Sequence, residues 1–246
     1  MSQRYEKRET PERAARICAL PVAQLNRKLP AVRVKTELEN AHRIRRWLFV
    51  IGLSAAAIGL ALLADANLAS WINANTSDSL RRFMRLVSRI GDWQGHFAAG
   101  LILVAIAWLR RSKRWLRVFL AMLIACALAG IVARVGKIAI GRPRPSTTSE
   151  QTWSGPSLHS KFNAFPSGHT ALSSAFFVTF LIAAGWRVGT PFLFIPLLIA
   201  SSRMIVAAHY LSDVIGGFAV GIIAALFVAE RMQIRTSHSA FDSAKA

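Results

Sequence analysis

The stretch "SSRMIVAAHYLSD", residues 201–213, interrupts an apolar run with an arginine, a histidine and an aspartate. Charged side chains at bilayer depth are costly, so they persist mainly where they face a polar cavity or take part in chemistry. An unbroken helix from Pro191 to Ala229 would be about 58 Å long, about twice the thickness of a bilayer core. The polar stretch therefore predicts a break between two helices, and it is a candidate functional site.

The composition of the whole chain is that of a membrane protein. Of its 246 residues, 53% are hydrophobic, and the mean hydropathy of +0.37 is too high for an ordinary soluble domain. The formal net charge of +19 resembles that of nucleic-acid-binding proteins, but the basic residues alternate with long apolar spans. We therefore expect an integral protein of a phospholipid bilayer that does not bind nucleic acid.

Six apolar segments have lengths near the ~20 residues that cross a hydrocarbon core. They predict an all-α polytopic membrane protein with six transmembrane helices. The expected domains are a basic cytoplasmic tail (1–46), a six-helix membrane domain (47–230) and a short cytoplasmic C-terminal tail (231–246). The six segments are Trp47–Ala64, Trp93–Leu109, Trp115–Val135, Thr170–Trp186, Pro191 to about Ala207, and about His209 to Ala229.

Basic residues next to the spans predict the orientation. Arg43, Arg45 and Arg46 precede the first span, and residues 110–114 ("RRSKR") separate the second from the third, so both mark the cytoplasmic side. Other basic residues fall on the opposite side, so the charge pattern is divided. We expect a protein of the bacterial inner membrane with both termini in the cytoplasm. The membrane face opposite the termini would then be the periplasmic one.

Residues 78–90 ("DSLRRFMRLVSRI") place apolar side chains at helical spacing, with four arginines largely on the remaining face. This pattern predicts an amphipathic helix in the membrane interface. We favour a simple anchoring role for it over a role in recruiting an anionic substrate.

Three polar clusters lie between the predicted spans. They are "KIAIGRPRP" (137–145), "PSGH" (166–169) and "SRMIVAAHYLSD" (202–213). The first follows the third span, the second precedes the fourth, and the last joins the fifth to the sixth. All three therefore reach the same membrane face, opposite the basic cytoplasmic loops.

The clusters contain the groups that phosphate chemistry needs. Lys137, Arg144 and Arg203 supply cations for phosphate oxygens. His209 and Asp213 are four residues apart, so on a helix that opens the sixth span they share a face, and one imidazole nitrogen stays free as nucleophile or base. The "PSGH" cluster adds the Ser167 hydroxyl, the Gly168 N–H and a second histidine, His169. Each cation or histidine taken singly also suits a helix-end anchor, but that explanation leaves their convergence on one face unexplained.

Together these residues resemble the three-part signature of the type 2 phosphatidic acid phosphatase superfamily, in its integral membrane branch. The matches are K-x6-R-P (Lys137, Arg144, Pro145), P-S-G-H (166–169) and S-R-x5-H-x3-D (Ser202, Arg203, His209, Asp213), in order across residues 137–213. Arg142 matches no fixed position and is treated as secondary. His159 and Lys161, in the intervening loop, are given no catalytic role.

The resemblance implies a mechanism and a substrate class. His209 would attack the phosphorus of a lipid phosphate to give a phosphohistidine, while Asp213 orients the ring. His169 would protonate the departing oxygen and then activate water. The phosphoryl oxygens would be held by Lys137, Arg144, Arg203, Ser167 and the Gly168 N–H. The candidate lipids are phosphatidic acid, phosphatidylglycerol phosphate, undecaprenyl pyrophosphate and the 1-phosphate of lipid A.

The residues favour a reaction without metal or other cofactor, because Asp213 is the one acid within the three clusters and the cations would supply the positive charge. Three other functions stay open. A phosphotransferase would pass the phosphoryl group to a second lipid. A vanadate-dependent haloperoxidase has related motifs but is soluble, and a noncatalytic membrane adaptor would not need His209. The sequence also leaves the oligomeric state open.

Overall fold

The structure is a computed structural model that describes residues 22–147 and 153–234. Every regular element in these ranges is helical, so the predicted all-α class is confirmed. The chain divides into two units, residues 1–50 and 51–246, and the site lies in the second unit. Residues 1–21 of the predicted N-terminal tail and residues 235–246 of the predicted C-terminal tail lie outside the described ranges.

The described helices follow one another with short connections, apart from the longer segment between residues 141 and 167. Short 3₁₀ turns occur at Ser160–Phe162 and Thr190–Leu193. The α-helices are α1 (Val22–Asn75), α2 (Asp78–Ile90), α3 (Trp93–Leu109), α4 (Lys113–Ile140), α5 (Gly168–Ala184), α6 (Trp186–Gly189), α7 (Phe194–Ile205) and α8 (Leu211–Arg231).

Four helical stretches in the described residues are long and apolar enough to cross a membrane, so the chain is an integral membrane protein. They are Glu37–Asn75 within α1, all of α4, Trp186–Ile205, and α8. A fifth span exists if α2 and α3, which bend by 49° at their junction, are counted as one. Helix α5 is apolar but has only 17 residues. The count of six spans therefore stays a prediction.

The first helix is longer at both ends than the sequence predicted. It begins at Val22, so residues 22–46, expected as a tail, are helical. It continues past Ala64 to Asn75 because no glycine or proline follows until Gly91, and single polar residues such as Asp65 do not end a helix. Helix α2 has the predicted bounds of the amphipathic segment. Its position in the membrane interface stays a prediction.

Close packing of α5 against α8 aligns the ends of these helices that carry the polar clusters. A Cβ atom at Gly221 would lie 1.9 Å from Ser174 Oγ, and one at Gly217 would lie 2.6 Å from the Ser167 carbonyl oxygen. Small residues of this kind let helix backbones approach closely in membrane proteins. At the end of this contact the Ser167 N–H donates to the Asp213 carbonyl at 2.8 Å. The packing thus joins the second polar cluster to the third.

Candidate active site

The predicted break between the last two spans lies at residues 206–210. Ala207 has a φ of 53°, the left-handed conformation that ends many helices. Its N–H donates to the Met204 carbonyl at 2.9 Å, and the Ala208 N–H donates to the Arg203 carbonyl at 3.1 Å. Helix α7 therefore ends and the chain turns, so that His209 enters the site from a connection.

The position of His209 corrects the prediction that it opens the last helix. Helix α8 begins at Leu211, with Tyr210 as its N-cap. The Tyr210 N–H donates to Asp213 Oδ2 at 2.8 Å, so Asp213 caps the helix and His209 stays outside it. The two residues still lie together, because the cap draws the carboxylate back toward the connection.

His209 is a neutral, enclosed imidazole. His209 is only 2% exposed to solvent. Its Nδ1 lies 3.6 Å from Asp213 Oδ2, which is longer than a hydrogen bond. Burial, followed by the positive charges of Lys137, Arg203 and Arg144, lowers the pKa of His209 well below its ordinary value of 6.5. An unprotonated ring nitrogen is therefore available as a nucleophile at neutral pH.

The three predicted cations approach this imidazole from different elements. Lys137, on α4, donates from Nζ to the Asn163 carbonyl at 2.8 Å, and Arg203, on α7, donates to the Ser88 hydroxyl. Arg144 lies in the connection after α4, where burial lowers the pKa of its guanidinium. Within the described part of the chain, Nε of Arg144 and Nε of Arg203 are buried without a hydrogen-bond partner. Two guanidinium N–H donors are thus free to bind an anion.

The "PSGH" cluster forms the start of α5. Ser167 is fully buried, and its hydroxyl accepts a hydrogen bond from Thr170 Oγ1 at 3.0 Å. A Cβ atom at Gly168 would be 3.5 Å from Lys137 Cε, so the lysine side chain passes over the start of the helix. Free N–H groups at a helix N-terminus bind anions, and a cation there reinforces the effect. His169, the next residue, has a side chain that is 21% exposed.

Arg142, which the sequence analysis treats as secondary, holds the aspartate of the site. Its two terminal nitrogens donate to Asp213 Oδ1 and Ser212 Oγ at 2.6 Å each, and to Asp65 Oδ2 at 2.7 Å. The Ser212 N–H also donates to Asp65 Oδ1 at 2.9 Å. Arg142, Asp65 and Asp213 are all at most 5% exposed. This buried network fixes the carboxylate that lies beside His209.

Aromatic rings enclose the same guanidinium. The Arg142 guanidinium carbon lies 4.4 Å from the ring centre of Tyr210 and 5.0 Å from that of Trp153. Cation–π contacts of this kind are strongest where water is excluded. They explain why a residue outside the fixed motif positions is nonetheless deeply buried. Asp65 had one sequence signal, a lone carboxylate directly after an apolar run.

The structure places every predicted site residue at one end of the helices α4, α5, α7 and α8 or in their connections. His209, Asp213 and Ser167 form its buried floor, and His169 is its more exposed member. The three cations lie around His209. The arrangement joins a nucleophile, an acid or base and cationic donors, which is the set that phosphoryl transfer requires. The individual roles stay predictions.

Comparison with known proteins finds relatives over the same region. Residues 116–237 match the family model described as the PAP2 superfamily. A lipid A 1-phosphatase of Rhizobium johnstonii is 39% identical over 97 residues, which are 38% of this chain and 39% of that protein. A lipid A 1-phosphatase of Porphyromonas gingivalis is 33% identical over 118 residues, covering 46% of this chain and 23% of that protein. The match therefore spans well under half of these curated relatives.

Two solved structures share the fold. LpxE of Aquifex aeolicus superimposes with a TM-score of 0.54 at 19% identity, covering 68% of this chain and 94% of that one. A transmembrane PAP2 type phosphatidylglycerolphosphate phosphatase from Bacillus subtilis superimposes with a TM-score of 0.59 at 22% identity, covering 76% and 94%. The motif matches, the family model and this shared fold agree, and the chain belongs, through residues 116–237, to the PAP2 superfamily.

Proposed function

We propose that this protein is a membrane lipid phosphatase that works through a phosphohistidine on His209. The observation that carries the proposal is the buried, neutral imidazole surrounded by Lys137, Arg144 and Arg203. A cluster of cations around a neutral nucleophile suits an electron-rich phosphate and would be costly without an anion to bind.

The first step is attack of His209 on phosphorus. Nδ1 lies toward Asp213, so Nε2 is the nitrogen that uses its lone pair. As the N–P bond forms, the P–O bond to the lipid breaks, and the departing oxygen takes a proton from His169. Asp213, held by Arg142, stabilises the positive charge that develops on the imidazole ring.

The second step is hydrolysis of the phosphohistidine. His169, now unprotonated, accepts a proton from water, and the resulting oxygen attacks phosphorus as the N–P bond breaks. Inorganic phosphate leaves and His209 is restored. Throughout both steps, Lys137, Arg144 and Arg203 would stabilise the equatorial oxygens, with Ser167 and the Gly168 N–H at the start of α5.

The substrate we propose first is the 1-phosphate of lipid A, because the curated relatives carry the name lipid A 1-phosphatase. A lipid chain has a place beside the site. A cavity of about 290 Å³ lies between the α2–α3 junction, α5 and α7. Its lining is apolar apart from His96 and includes Val87, Ile90, Phe176 and Ile199.

We further propose that the site opens to the periplasmic side of a bacterial inner membrane, with the termini in the cytoplasm. The basic residues before the first span and at residues 110–114 support this orientation. The reaction would need no metal ion, because His209 is surrounded by cations, His169 and the carboxylate of Asp213 rather than by the clustered carboxylates that Mg²⁺ prefers.

The proposal is tested by phosphate release from the detergent-purified chain in the presence of EDTA. The substrates are lipid A 1-phosphate, phosphatidic acid, phosphatidylglycerol phosphate and undecaprenyl pyrophosphate. We expect EDTA-resistant release from lipid A 1-phosphate, loss of release in His209→Ala, and an unchanged rate in His42→Ala, which alters an exposed histidine on α1.

Near-normal turnover by His209→Ala would refute the nucleophile, and strong inhibition by EDTA would refute the metal-free mechanism. Release from one of the other lipids alone would reassign the substrate. Phosphate found on a second lipid instead of in solution would make the enzyme a phosphotransferase.

A further inference from the structure

Asp92 lies at the junction between α2 and α3 and faces His169. Its Oδ1 accepts a hydrogen bond from the Trp93 N–H at 2.8 Å, which caps α3, and the same oxygen lies 3.4 Å from His169 Nε2. The Asp92 side chain is 36% exposed, so the contact lies at the accessible side of the site. We propose that Asp92 is a positioning residue for His169, holding the ring so that its other nitrogen meets the departing oxygen.

Two further contacts show that the α2–α3 junction belongs to the site. Ser88, at the end of α2, is 5% exposed and its hydroxyl accepts from Arg203. A Cβ atom at Gly91 would lie 2.6 Å from Ile199 Cγ1, so the junction lies directly against α7. The segment thus reaches the proposed phosphate-binding arginine and the proposed acid at separate points.

The carboxylate itself is well fixed. Its Oδ1 is held by the N-cap bond, and the backbone carbonyl of Asp92 accepts from His96 Nδ1 at 3.0 Å. A group that must orient an imidazole needs this kind of support, because small displacements of a catalytic side chain are costly.

The chemistry of the proposed reaction gives this carboxylate a function. His169 must carry a second proton when it acts as an acid, although Lys137 of α4, Arg203 of α7 and His96 of α3 also lie near its ring. A carboxylate oxygen 3.4 Å from Nε2 offsets those positive charges and orients this nitrogen toward Asp92. Nδ1–H is then the donor to the oxygen that leaves phosphorus, and the proton moves to that oxygen as the P–O bond breaks.

The inference rests on the proposed function, and it makes a prediction that a purely structural role does not. Proton donation matters most when the departing oxygen is strongly basic, as in an alkyl phosphate, and little when the leaving group is p-nitrophenolate. Loss of the Asp92 charge should therefore slow the first-turnover release of the dephosphorylated lipid, which precedes hydrolysis of the phosphohistidine, by about 10- to 100-fold. The first-turnover release of p-nitrophenolate should change by less than about threefold.

The variant Asp92→Asn separates the charge from the helix cap, because asparagine is as good an N-cap as aspartate. Asp92→Ser is a second variant that keeps a capping oxygen. The matched control is Asp78→Asn, which removes the same charge from the exposed first residue of α2. His169→Ala should show the same dependence on leaving group, and adding Asp92→Asn to it should cause little further loss.

Each outcome decides the proposal. The proposal is supported if the rate falls selectively with the lipid substrate, does not fall in the Asp78 control, and falls little further when Asp92→Asn is added to His169→Ala. An equal loss on both substrates, an additive double variant, or no loss in either Asp92 variant overturns it. Failure of the proposed function looks different, because the unaltered protein would then release no phosphate, or His209→Ala would release as much.

Discussion

Replacing Arg142 by methionine leaves two buried carboxylates without their shared cation. Asp213 would keep its bond from the Tyr210 N–H, and Asp65 would keep its bonds from Ser212. The removed guanidinium makes contacts of 2.6 and 2.7 Å to these carboxylates, all in the protein interior. Methionine has a similar length and no charge, so the change isolates the electrostatic loss.

Removing one partner of a buried ion pair costs about 3–5 kcal/mol. The lower end applies here, since the remaining donors hold both carboxylates. In a domain of this size about 3 kcal/mol corresponds to a fall in Tm of about 6–12 °C. We also expect phosphate release to fall, because Asp213 would lose the contact that fixes it beside His209.

The assay is thermal unfolding in one detergent, followed by phosphate release below the lower Tm. Arg82→Met is the matched control, since Arg82 is exposed on α2, where its guanidinium donates to the Ser79 hydroxyl at 3.1 Å. Its Tm should change by less than about 2 °C. The double variant Arg142→Met, Asp65→Asn should recover part of the loss. A Tm for Arg142→Met equal to that of the control would refute the buried network.

Three other measurements check the packing, the nucleophile and the phosphate contacts. Gly221→Ala should destabilise the protein by about 1–3 kcal/mol and so lower its Tm, because the added Cβ would lie 1.9 Å from Ser174 Oγ. Gly59→Ala, whose Cβ would have nothing within 4 Å, should not lower Tm. Equal Tm values for the two variants would contradict the close helix contact. His209 is neutral when folded but protonated below pH 6.5 when unfolded, so stability should fall as pH drops below 6.5, by up to about 1.4 kcal/mol per pH unit. His209→Asn should reduce that slope, and an unchanged slope would mean that His209 is not buried as a neutral ring. Arg203→Lys keeps the charge but loses the guanidinium donors, so kcat should fall by about 10²-fold; an unaltered kcat would remove Arg203 from the phosphate site.

Much of the site's architecture could be predicted from local patterns. The apolar segment lengths predict helices, because only helices of about that length satisfy their backbone polar groups inside a bilayer. The break near His209 follows from the same limit on length. The predicted spans bring the three motifs to one membrane face, because alternate connections between spans reach the same face, and the structure places these residues together.

The contacts that hold the site depended on packing between distant parts of the chain. Asp65, on α1, and Arg142, in the connection after α4, are 77 residues apart, and no spacing rule links two such residues before the chain has packed. Asp92 faces His169 only because α2 and α3 bend at their junction. His209 lies outside the predicted helix because the Tyr210 N–H donates to Asp213 Oδ2 and the helix begins only at Leu211. The preceding helix ends at a left-handed Ala207, a conformation that favours glycine and that an alanine does not predict. Hydropathy and motif spacing therefore predict the helices and the reacting groups. The supporting contacts of Asp65, Asp92 and Arg142 were decided only by the tertiary structure, because a buried charge needs a partner that packing brings from a distant part of the chain.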